Sequence, residues 1–582
     1  MLCLLAGPVL ASCADQAADS VDYAVDGALV SYNTNTVAGA ASGGPQAFAR
    51  ALTGFTYHGP EGQIVGDHDF GTTNLVGRNP LVLDYEIKPE AVYSDGKPVT
   101  CDDMVLAWAA QSGRFPAFDA ASRAGYTDIA TVECVPGQKK ARVSFAQDRP
   151  FTDYGQLFTA TSLMPAHVLA DELGLGDGGV TRALLDNDGP VVERIAAAWN
   201  TVWDLTPDLD LARFPSSGPY KLDSVSADGS VVLVANDKWW GTMPITGRVV
   251  VHPRSSDMQD RVDEGAYDVV DIASGSLGTL NLPDDYQRSE SASAGVEQLL
   301  FAPQGPLAAV PARRAVALCT PRDVIARNAE VPVVNSRLNT ATEDAYGAAE
   351  TTPEAGEFAV ANPDAARAAL GGQPLTVRMG YQTPNARLAA LVGAIARSCA
   401  PAGITVEDVA GADTGPLALR NNEIDVLVAG TGGAAGSGSS GSSAVDAYTL
   451  HSANGNNLPR YTNERIDGII STIAVINDPK EIARLLAEAA PILWGDMPTL
   501  PLYRQQRTLV TSTNMFARSI GSAVGVAIFG AIVNSRISGP GEPDPGQLSD
   551  AIHLVFLGVA AAAVLMLAAA TLMPKAPKGA GA

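Results

Sequence analysis

The sequence predicts an α/β protein of two lobes, followed by a C-terminal transmembrane helical hairpin. Two similar short units, residues 265–271 and 422–428, support the two-lobed prediction, since each places an acidic residue before a β-branched run and is followed by a Gly/Ser-rich loop. A buried strand that ends in a flexible loop is typical of an α/β lobe. From Phe516 onward the composition changes to long uncharged apolar stretches, which predict the hairpin.

Length, composition and charge limit the class of protein. The chain has 582 residues, of which 46% are hydrophobic and 18% charged, as in a folded protein of several domains. Its 39 basic and 63 acidic residues leave a net charge of −24. A general nucleic-acid binder needs a basic surface, so no nucleic-acid partner is expected.

The first residues resemble a bacterial lipoprotein signal. Residues 2–12 are apolar and end in small residues, and Cys13 follows at once. In a lipoprotein this thiol receives a diacylglyceryl group, which would hold the protein on the extracytoplasmic face of the cell membrane. No Lys or Arg occurs before Arg50, so residues 1–13 are predicted to be a truncated signal peptide whose true start lies upstream. An apolar N-terminus without a targeting role is the alternative.

A strand, a tight turn and a capped helix are predicted between residues 81 and 108. Asp95-Gly96 is a tight-turn dipeptide, because glycine adopts positive φ without cost. Thr100 suits a helix N-cap, and Asp103 stands three residues on as its capping-box partner.

The stretch 93–108, YSDGKPVTCDDMVLAW, resembles the signature of the family 5 solute-binding proteins, the peptide- and nickel-binding components of ABC importers. The resemblance covers about residues 20–510 and is closest to actinobacterial lipoproteins of this family. Five further landmarks follow in the order of that family, at residues 163–167, 217–221, 236–240, 315–323 and 498–503.

This resemblance implies a periplasmic-binding-protein-like fold of type II. Residues 14–270 would begin lobe I, residues 271–490 would form lobe II, and residues 491–515 would return to a truncated lobe I. A polar solute or peptide would bind between the lobes and pass to the permease subunits of an ABC importer, without enzymatic chemistry. Because fold does not determine function, an envelope lipoprotein that acts through protein partners in cell-wall biogenesis, with no transported ligand, is the alternative.

Four cysteines outside the leader fall into two spaced pairs, Cys101 with Cys134 and Cys319 with Cys399. An even number fits two disulfides formed in an oxidising compartment. Four buried free thiols are the alternative. No pair has the CxxC spacing of a zinc site or a redox motif.

The Gly/Ser-rich loop 430–448 is a candidate ligand-binding loop, and a flexible linker is the alternative. The loop matches the residue pattern of a dinucleotide-binding fingerprint. No amphipathic helix is predicted directly after it, however, so no helix N-terminus is placed to bind a pyrophosphate. Peptide-binding members of the resembled family often carry Trp and Asp directly after this strand; here Trp is absent and the nearest acidic residue, Asp446, is displaced, which speaks against a peptide ligand. The candidate contacts in the loop are Gly430, Thr431, Gly432, Ser437, Asp446 and Tyr448.

Tyr32, Asn33 and Asn35 follow an early strand, at a place that lines the cleft in the resembled family. Asn offers both donor and acceptor to an uncharged polar ligand, and an Asn-rich turn is the alternative. Gln382, before an Ala-rich helix, is a further candidate. The six histidines are scattered, and the HExxH, Walker A and G-x-S-x-G motifs are absent, so no catalytic residue, metal or cofactor is expected.

Residues 514–582 resemble the last two spans of fourteen-span drug:proton antiporters of the major facilitator superfamily. Within the hairpin at 516–582, Arg518, Lys575 and Lys578 flank the pair of apolar spans, so the positive-inside rule places both flanks in the cytoplasm. If the binding lobes are exported, however, the first span has to begin on the extracytoplasmic side. This conflict predicts a gene fusion or a sequence artefact with its junction near residues 508–516, and a second membrane anchor on a lipoprotein is the alternative.

Overall fold

The computed structural model describes residues 20–59, 63–276, 278, 280–338, 352–430 and 443–513. Within these ranges the chain forms sixteen strands. They are β1 (Ser20–Val25), β2 (Thr56–His58), β3 (Ile64–Gly66), β4 (Gly71–Arg78), β5 (Leu81–Ile87), β6 (Ile129–Cys134), β7 (Lys140–Phe145), β8 (Tyr220–Val225), β9 (Val231–Ala235), β10 (Arg248–His252), β11 (Val269–Ala273), β12 (Tyr286–Phe301), β13 (Leu375–Gly380), β14 (Ile404–Asp408), β15 (Val426–Gly430) and β16 (Thr499–Ser512).

The same ranges contain sixteen α-helices. They are α1 (Val37–Ala40), α2 (Gly44–Phe48), α3 (Cys101–Gln111), α4 (Ala166–Leu173), α5 (Gly179–Leu185), α6 (Gly189–Thr201), α7 (Met258–Asp263), α8 (Val310–Cys319), α9 (Arg322–Asn328), α10 (Pro353–Glu357), α11 (Pro363–Ala369), α12 (Ala386–Cys399), α13 (Pro416–Arg420), α14 (Ser443–Ala447), α15 (Glu464–Ile473) and α16 (Pro479–Asp496).

Three sequence predictions fall on residues outside the described ranges. They are the signal peptide with Cys13, residues 431–442 of the Gly/Ser-rich loop, and the hairpin at 516–582. In the part of the chain that the structure describes, no helix combines the length and apolar character needed to cross a bilayer.

The main sheet has ten strands in the order β14-β13-β15-β12-β16-β11-β1-β10-β9-β8. β1 lies between two parallel neighbours, since Tyr23 pairs with Val251 of β10 and with Val269 of β11. At the other end β13 runs parallel to both β14 and β15. Parallel strands bring their carboxyl ends to one edge of a sheet, where ligands bind in open α/β folds.

A second, antiparallel sheet has the order β4-β5-β7-β6 and lies beside α3. The predicted start of α3 is confirmed: Thr100 is the N-cap, and its backbone N–H donates to Asp103 at 3.0 Å in a capping box. The predicted turn before it is also present, with Gly96 at φ +87°, a conformation that side chains disfavour.

Two large apolar cores divide the molecule into two lobes, which confirms the predicted α/β architecture. The first lobe packs around residues such as Phe55, Leu83 and Trp199. The second lobe packs around Val377 and Ile395, on β13 and α12. Each core is buried apolar surface, the main source of stability in such folds.

The two lobes are joined by β12 and β16, which are neighbours in the ten-stranded sheet. Near one end of these strands, Tyr286 and Val510 pack with Met258 of α7. At the other end, Leu299 and Leu502 lie in the core of the second lobe. The crossing points therefore lie within these two strands, at the middle of the sheet.

The chain returns to the first lobe earlier than predicted. Tyr448, Ile466, Ile470 and Leu486 all lie in the first-lobe core, although residues up to 490 were predicted to belong to lobe II. α15 carries a continuous isoleucine face that covers the first lobe. An amphipathic helix reveals its apolar face in the sequence but not which core that face covers.

Both predicted disulfides are present. Cys101 is bonded to Cys134 in the first lobe, and Cys319 is bonded to Cys399 in the second. Asp102 lies close to the sulfurs of the first pair. Disulfide sulfurs offer no thiolate to a metal, so this cluster is a covalent cross-link and not a metal site.

Candidate ligand-binding cleft

A cavity of about 170 Å³ lies between the two lobes. Ala40 at the end of α1 and Arg254 after β10 border it from the first lobe. Gln382 before α12 and Gly430 at the end of β15 border it from the second lobe. Glu297 of the crossing strand β12 also lines it. A solute held here would contact both lobes at once.

Arg254 and Asp26 form a buried ion pair beside the cavity. The Nε of Arg254 donates to Oδ1 of Asp26 at 2.6 Å, and their side chains are only 5% and 0% exposed. Nη1 of the same guanidinium donates to the backbone carbonyls of Gln382 and Pro384 in the second lobe, at 3.3 Å each. The other Asp26 oxygen accepts from the backbone N–H of Ala273 at 2.8 Å. Arg254 thus links the lobes while its charge is neutralised within the first.

A second buried ion pair joins Glu297 of β12 to Arg387 of α12. Nη1 of Arg387 also donates to the hydroxyl of Tyr503, and Nε2 of Gln505 donates to Glu297 at 3.2 Å. Burial alone would lower the pKa of Arg387, but the attraction of Glu297 and Tyr503 outweighs it and raises that pKa. Burial raises the pKa of Tyr503 to about 12. Arg387 therefore stays cationic and Tyr503 neutral at physiological pH.

Gly430 allows Gln505 to approach the backbone of β15. A Cβ atom at Gly430 would lie 2.1 Å from Nε2 of Gln505, which is far inside van der Waals contact. Gln505 is only 3% exposed and is held by Glu297, so it has little freedom to move aside. Glycine at this position is needed for close approach and not for an unusual backbone angle.

The lobes also touch through an apolar cluster and an ion pair. Val37 of the first lobe packs in one cluster with Leu419 and Leu427 of the second. Arg420 of α13 binds Asp119 of the first lobe, with 2.8 Å between Nη1 and Oδ1. The structure is thus in a closed arrangement, with contacts between the lobes next to the cavity.

A second cavity of about 550 Å³ shares Arg387 and Gln505 in its walls with the first. It is bordered by the loop after β11, by α12 and by β16. Arg288 and Glu290 in its wall bind each other, with 2.6 Å between Nε and Oε1.

The predicted contacts Tyr32, Asn33 and Asn35 border neither cavity and have partners inside the protein. Tyr32 is fully buried among Phe48 and neighbouring side chains, and its hydroxyl lies 2.9 Å from Oγ of Ser216. Asn33 donates to the carbonyl of Trp199 at 3.0 Å, and Asn35 donates to that of Thr161 at 2.9 Å.

These bonds fold the segment so that Ala40 and Ala41, slightly further along, line the cavity. The Asn-rich turn, the alternative reading of this stretch, fits what the structure shows. The sequence therefore located the segment but not the side chains that face the cleft.

Of the remaining predicted contacts, Gly430 and Gln382 both line the first cavity, on neighbouring elements of the second lobe. Tyr448 is buried in the first-lobe core and stacks on His451 at 4.8 Å, and Asp446 is 7% exposed. The next residues after them, Thr449 and Leu450, border the cavity in their place. Thr431, Gly432 and Ser437 lie outside the described residues.

Sequence reasoning missed Arg254, Glu297, Arg387 and Gln505. Glu297 had a usable signal, since an acidic residue inside the apolar run of β12 must be paired if it is buried. Its partner stands 90 positions away, and only the fold brings the two together.

One group of side chains has the residue types of a catalytic triad. Oγ of Ser230 lies 3.1 Å from Nδ1 of His252, and Nε2 of His252 lies 2.8 Å from Oδ1 of Asp22. Ser230 is only 3% exposed, and neither cavity borders it. A nucleophile must reach a substrate carbonyl, and the buried Ser230 is out of reach, so this group serves to tie β1, β9 and β10 together.

Comparison with known proteins places the fold in context. The model of the bacterial extracellular solute-binding proteins, family 5, matches residues 76–450. An uncharacterized lipoprotein of Mycobacterium tuberculosis is 64% identical over 520 residues, which covers 89% of this chain and 93% of that protein.

Two solved structures show the same fold. The oligopeptide-binding protein AppA of Bacillus subtilis, in complex with a nonapeptide, has a TM-score of 0.67 at 14% identity, over 85% of this chain and 94% of that one. NikZ of Campylobacter jejuni, in complex with Ni(L-His), has a TM-score of 0.62 at 14% identity, over 85% and 94%. At these identities the likeness concerns the fold alone.

Proposed function

Because this chain belongs to the family 5 bacterial extracellular solute-binding proteins, we propose that it captures a small polar solute between its lobes and delivers it to the permease subunits of an ABC importer. The observation that carries the proposal is the cavity, whose walls come from both lobes. Capture requires such a shared site, because only a ligand that contacts both lobes binds the closed state more tightly than the open one.

The contacts around the cavity support this mode of action. Next to the cavity, Arg254 and the Arg420–Asp119 pair join the lobes by a few polar bonds, and one small apolar cluster adds to these contacts. An interface of this kind is weak enough to open and be re-formed around a solute.

We further propose that the mature protein is anchored to the extracytoplasmic face of the membrane by a lipid on Cys13. The relative from Mycobacterium tuberculosis is itself named a lipoprotein. Two acyl chains on one cysteine give stable anchoring, which would keep the binding lobes near a membrane-bound permease.

We do not favour the alternative in which the chain acts through protein partners in cell-wall biogenesis. Such a role does not require a cavity lined by both lobes, whereas AppA and NikZ hold a solute in the same fold. We also do not favour an enzymatic role, because the family is one of solute-binding proteins.

The proposal is tested by thermal shift on the full chain in detergent, against a panel of peptides, free amino acids, sugars, neutral amides and metal–histidine complexes. A solute present at 100 times its Kd stabilises the folded state by about 2.7 kcal/mol, which is a clear shift in Tm. Failure of every compound to raise the Tm would count against solute capture.

A matched pair of glycine variants locates the site. Gly430→Ala places a Cβ against Gln505 in the cavity wall, whereas Gly468→Ala, on an open face of α15, meets no atom within 4 Å. We expect Gly430→Ala to weaken binding of any solute found at least tenfold and Gly468→Ala to leave it unchanged. Equal effects of the two variants would place the solute elsewhere.

A further inference from the structure

The ionisable side chains that line the first cavity are already neutralised by the protein. In the described part of the chain they are Arg254, Glu297 and Arg387. Arg254 is bound to Asp26, and Glu297 is bound to Arg387. A free carboxylate or ammonium group entering the cavity would lose its water without gaining a counter-charge, which is strongly unfavourable.

The sequence beyond Gly430 adds no charge. Residues 431–442 contain only Gly, Ala, Ser and Thr, so they have no ionisable side chain to offer a ligand. Residues 431–442 therefore add no charge to the paired charges of the described cavity wall.

Two buried polar atoms, on side chains that border both cavities, have no partner among the described residues. They are Oε1 of Gln505, an acceptor, and Nε of Arg387, a donor. Both side chains are bound to the same carboxylate oxygen of Glu297, which holds them as neighbours. Buried polar groups are nearly always hydrogen-bonded, and a ligand that carries a donor next to an acceptor would satisfy both.

The rest of the wall is apolar, and the space is small. The apolar lining is built mainly from leucines of both lobes, Leu300, Leu388, Leu427, Leu450 and Leu458. At about 170 Å³ the cavity is smaller than the range of about 300–1,000 Å³ that is typical of pockets for drug-sized ligands. An apolar body of modest size matches these walls.

Resting on the proposed function, we infer that the cleft selects a compact, uncharged solute that presents a hydrogen-bond donor beside an acceptor, as a carboxamide does, on an apolar body. Gln505 and Arg387 receive the polar group, and the leucines receive the apolar part. The paired charges of the wall hold these two side chains in place and reject charged ligands, including peptides with free termini.

The test uses two probes of similar size that differ in charge. N-acetyl-leucinamide is uncharged and carries amide groups on the α-carbon that bears its isobutyl side chain, whereas glycyl-leucine is a zwitterion with the same side chain. Titration calorimetry on the full chain is expected to give an affinity at least tenfold higher for the uncharged probe. Equal affinity, or tighter binding of glycyl-leucine, overturns the inference of an uncharged ligand.

A matched pair of charge variants tests the recognising group. Gln505→Glu places a carboxylate at the acceptor position and is expected to lower the affinity for the uncharged probe at least tenfold. Gln506→Glu makes the same change at the next residue of β16, which borders only the second cavity, and is expected to leave the affinity within twofold. An equal loss in both variants overturns the assignment to Gln505.

The outcomes separate this inference from the proposed function. If glycyl-leucine or another charged solute binds, and Gly430→Ala weakens it, the protein is a solute-binding protein with a charged ligand, and only the inference of neutrality fails. If neither the two probes nor any compound of the wider panel binds, both fail together.

Discussion

Arg254 and Asp26 are bonded inside the first lobe at 2.6 Å, and the same guanidinium of Arg254 reaches two carbonyls of the second lobe. Asp26 in turn accepts a backbone hydrogen bond from the end of β11. The pair therefore serves the first-lobe sheet and the contact between lobes at once, and its carboxylate has no exposure to water.

Removal of the Asp26 charge is expected to destabilise the fold strongly. Asp26→Asn leaves the guanidinium of Arg254 buried without a counter-charge, which typically costs about 3–5 kcal/mol. The measurement is urea unfolding followed by circular dichroism. Asp364→Asn is the control, because that side chain is 95% exposed and 3.9 Å from Arg367, so a change within about 0.5 kcal/mol is expected there. A small loss at Asp26 would show that the pair contributes little.

Stability is expected to fall on mild acidification because of His451. Its Nδ1 accepts a hydrogen bond from the backbone N–H of Ala453 at 3.1 Å, which requires the neutral ring, and Nε2 lies 3.3 Å from Oγ of Ser471. Burial lowers the pKa of His451, an effect that Arg149 reinforces and that Asp467 and Asp128 oppose.

The unfolded chain, with a histidine pKa of about 6.5, therefore binds the proton more readily than the folded one. The stability that the neutral His451 contributes is therefore complete above a pH of about 6.5, and it is lost as the pH falls through and below that value. Unfolding free energies measured from pH 7.5 to 5 should decline less steeply in His451→Gln than in the parent chain. Identical slopes would rule out this residue as the source.

Each disulfide is expected to contribute to the free energy of unfolding according to the length of the chain loop that it closes. They span 33 residues for Cys101–Cys134 and 80 residues for Cys319–Cys399. Loop-closure entropy predicts losses of about 3.7 and about 4.5 kcal/mol when the paired cysteines are replaced by alanine. The change in Tm of each double variant, compared with the oxidised parent, provides the check. A larger loss for the shorter loop would contradict the entropic account.

Loss of the Arg420–Asp119 pair is expected to favour opening of the lobes. The two side chains are 28% and 32% exposed, so the pair contributes about 0.5 kcal/mol, roughly a twofold change in the closed population. Arg420→Gln should raise the radius of gyration measured by small-angle scattering, and added salt should produce the same shift in the parent chain. Arg484→Gln, which removes a pair confined to the surface of the first lobe, should leave the radius unchanged.

Local features of the fold were predictable, because their causes lie within a few residues. The capping box of Thr100 and Asp103 is an example, since both partners stand within one turn of a helix. The two-lobed architecture and the cysteine pairs were also predictable, from repeated short units and from cysteine number. The lobe to which α15 belongs was not predictable, because the apolar face of a helix does not show in the sequence which core it packs against.

The cleft was predictable only as a region. Tyr32 stands in the segment that leads to the cavity, but whether a loop side chain points inward or outward depends on partners such as Ser216, 184 positions away. The Glu297–Arg387 pair depends on α12 lying over β12, which no local pattern reveals. Gly430, which lines the first cavity, could be proposed because a glycine after a buried strand is a local signal.

The passage of β12 and β16 side by side through the ten-stranded sheet limits how the lobes can separate. Adjacent hydrogen-bonded strands resist sliding, so opening has to be a change in their common twist and cannot be a free swing on loose linkers. Such a motion has one principal direction and a restoring force. Each reclosure would therefore return Arg254 to the same two carbonyls, those of Gln382 and Pro384.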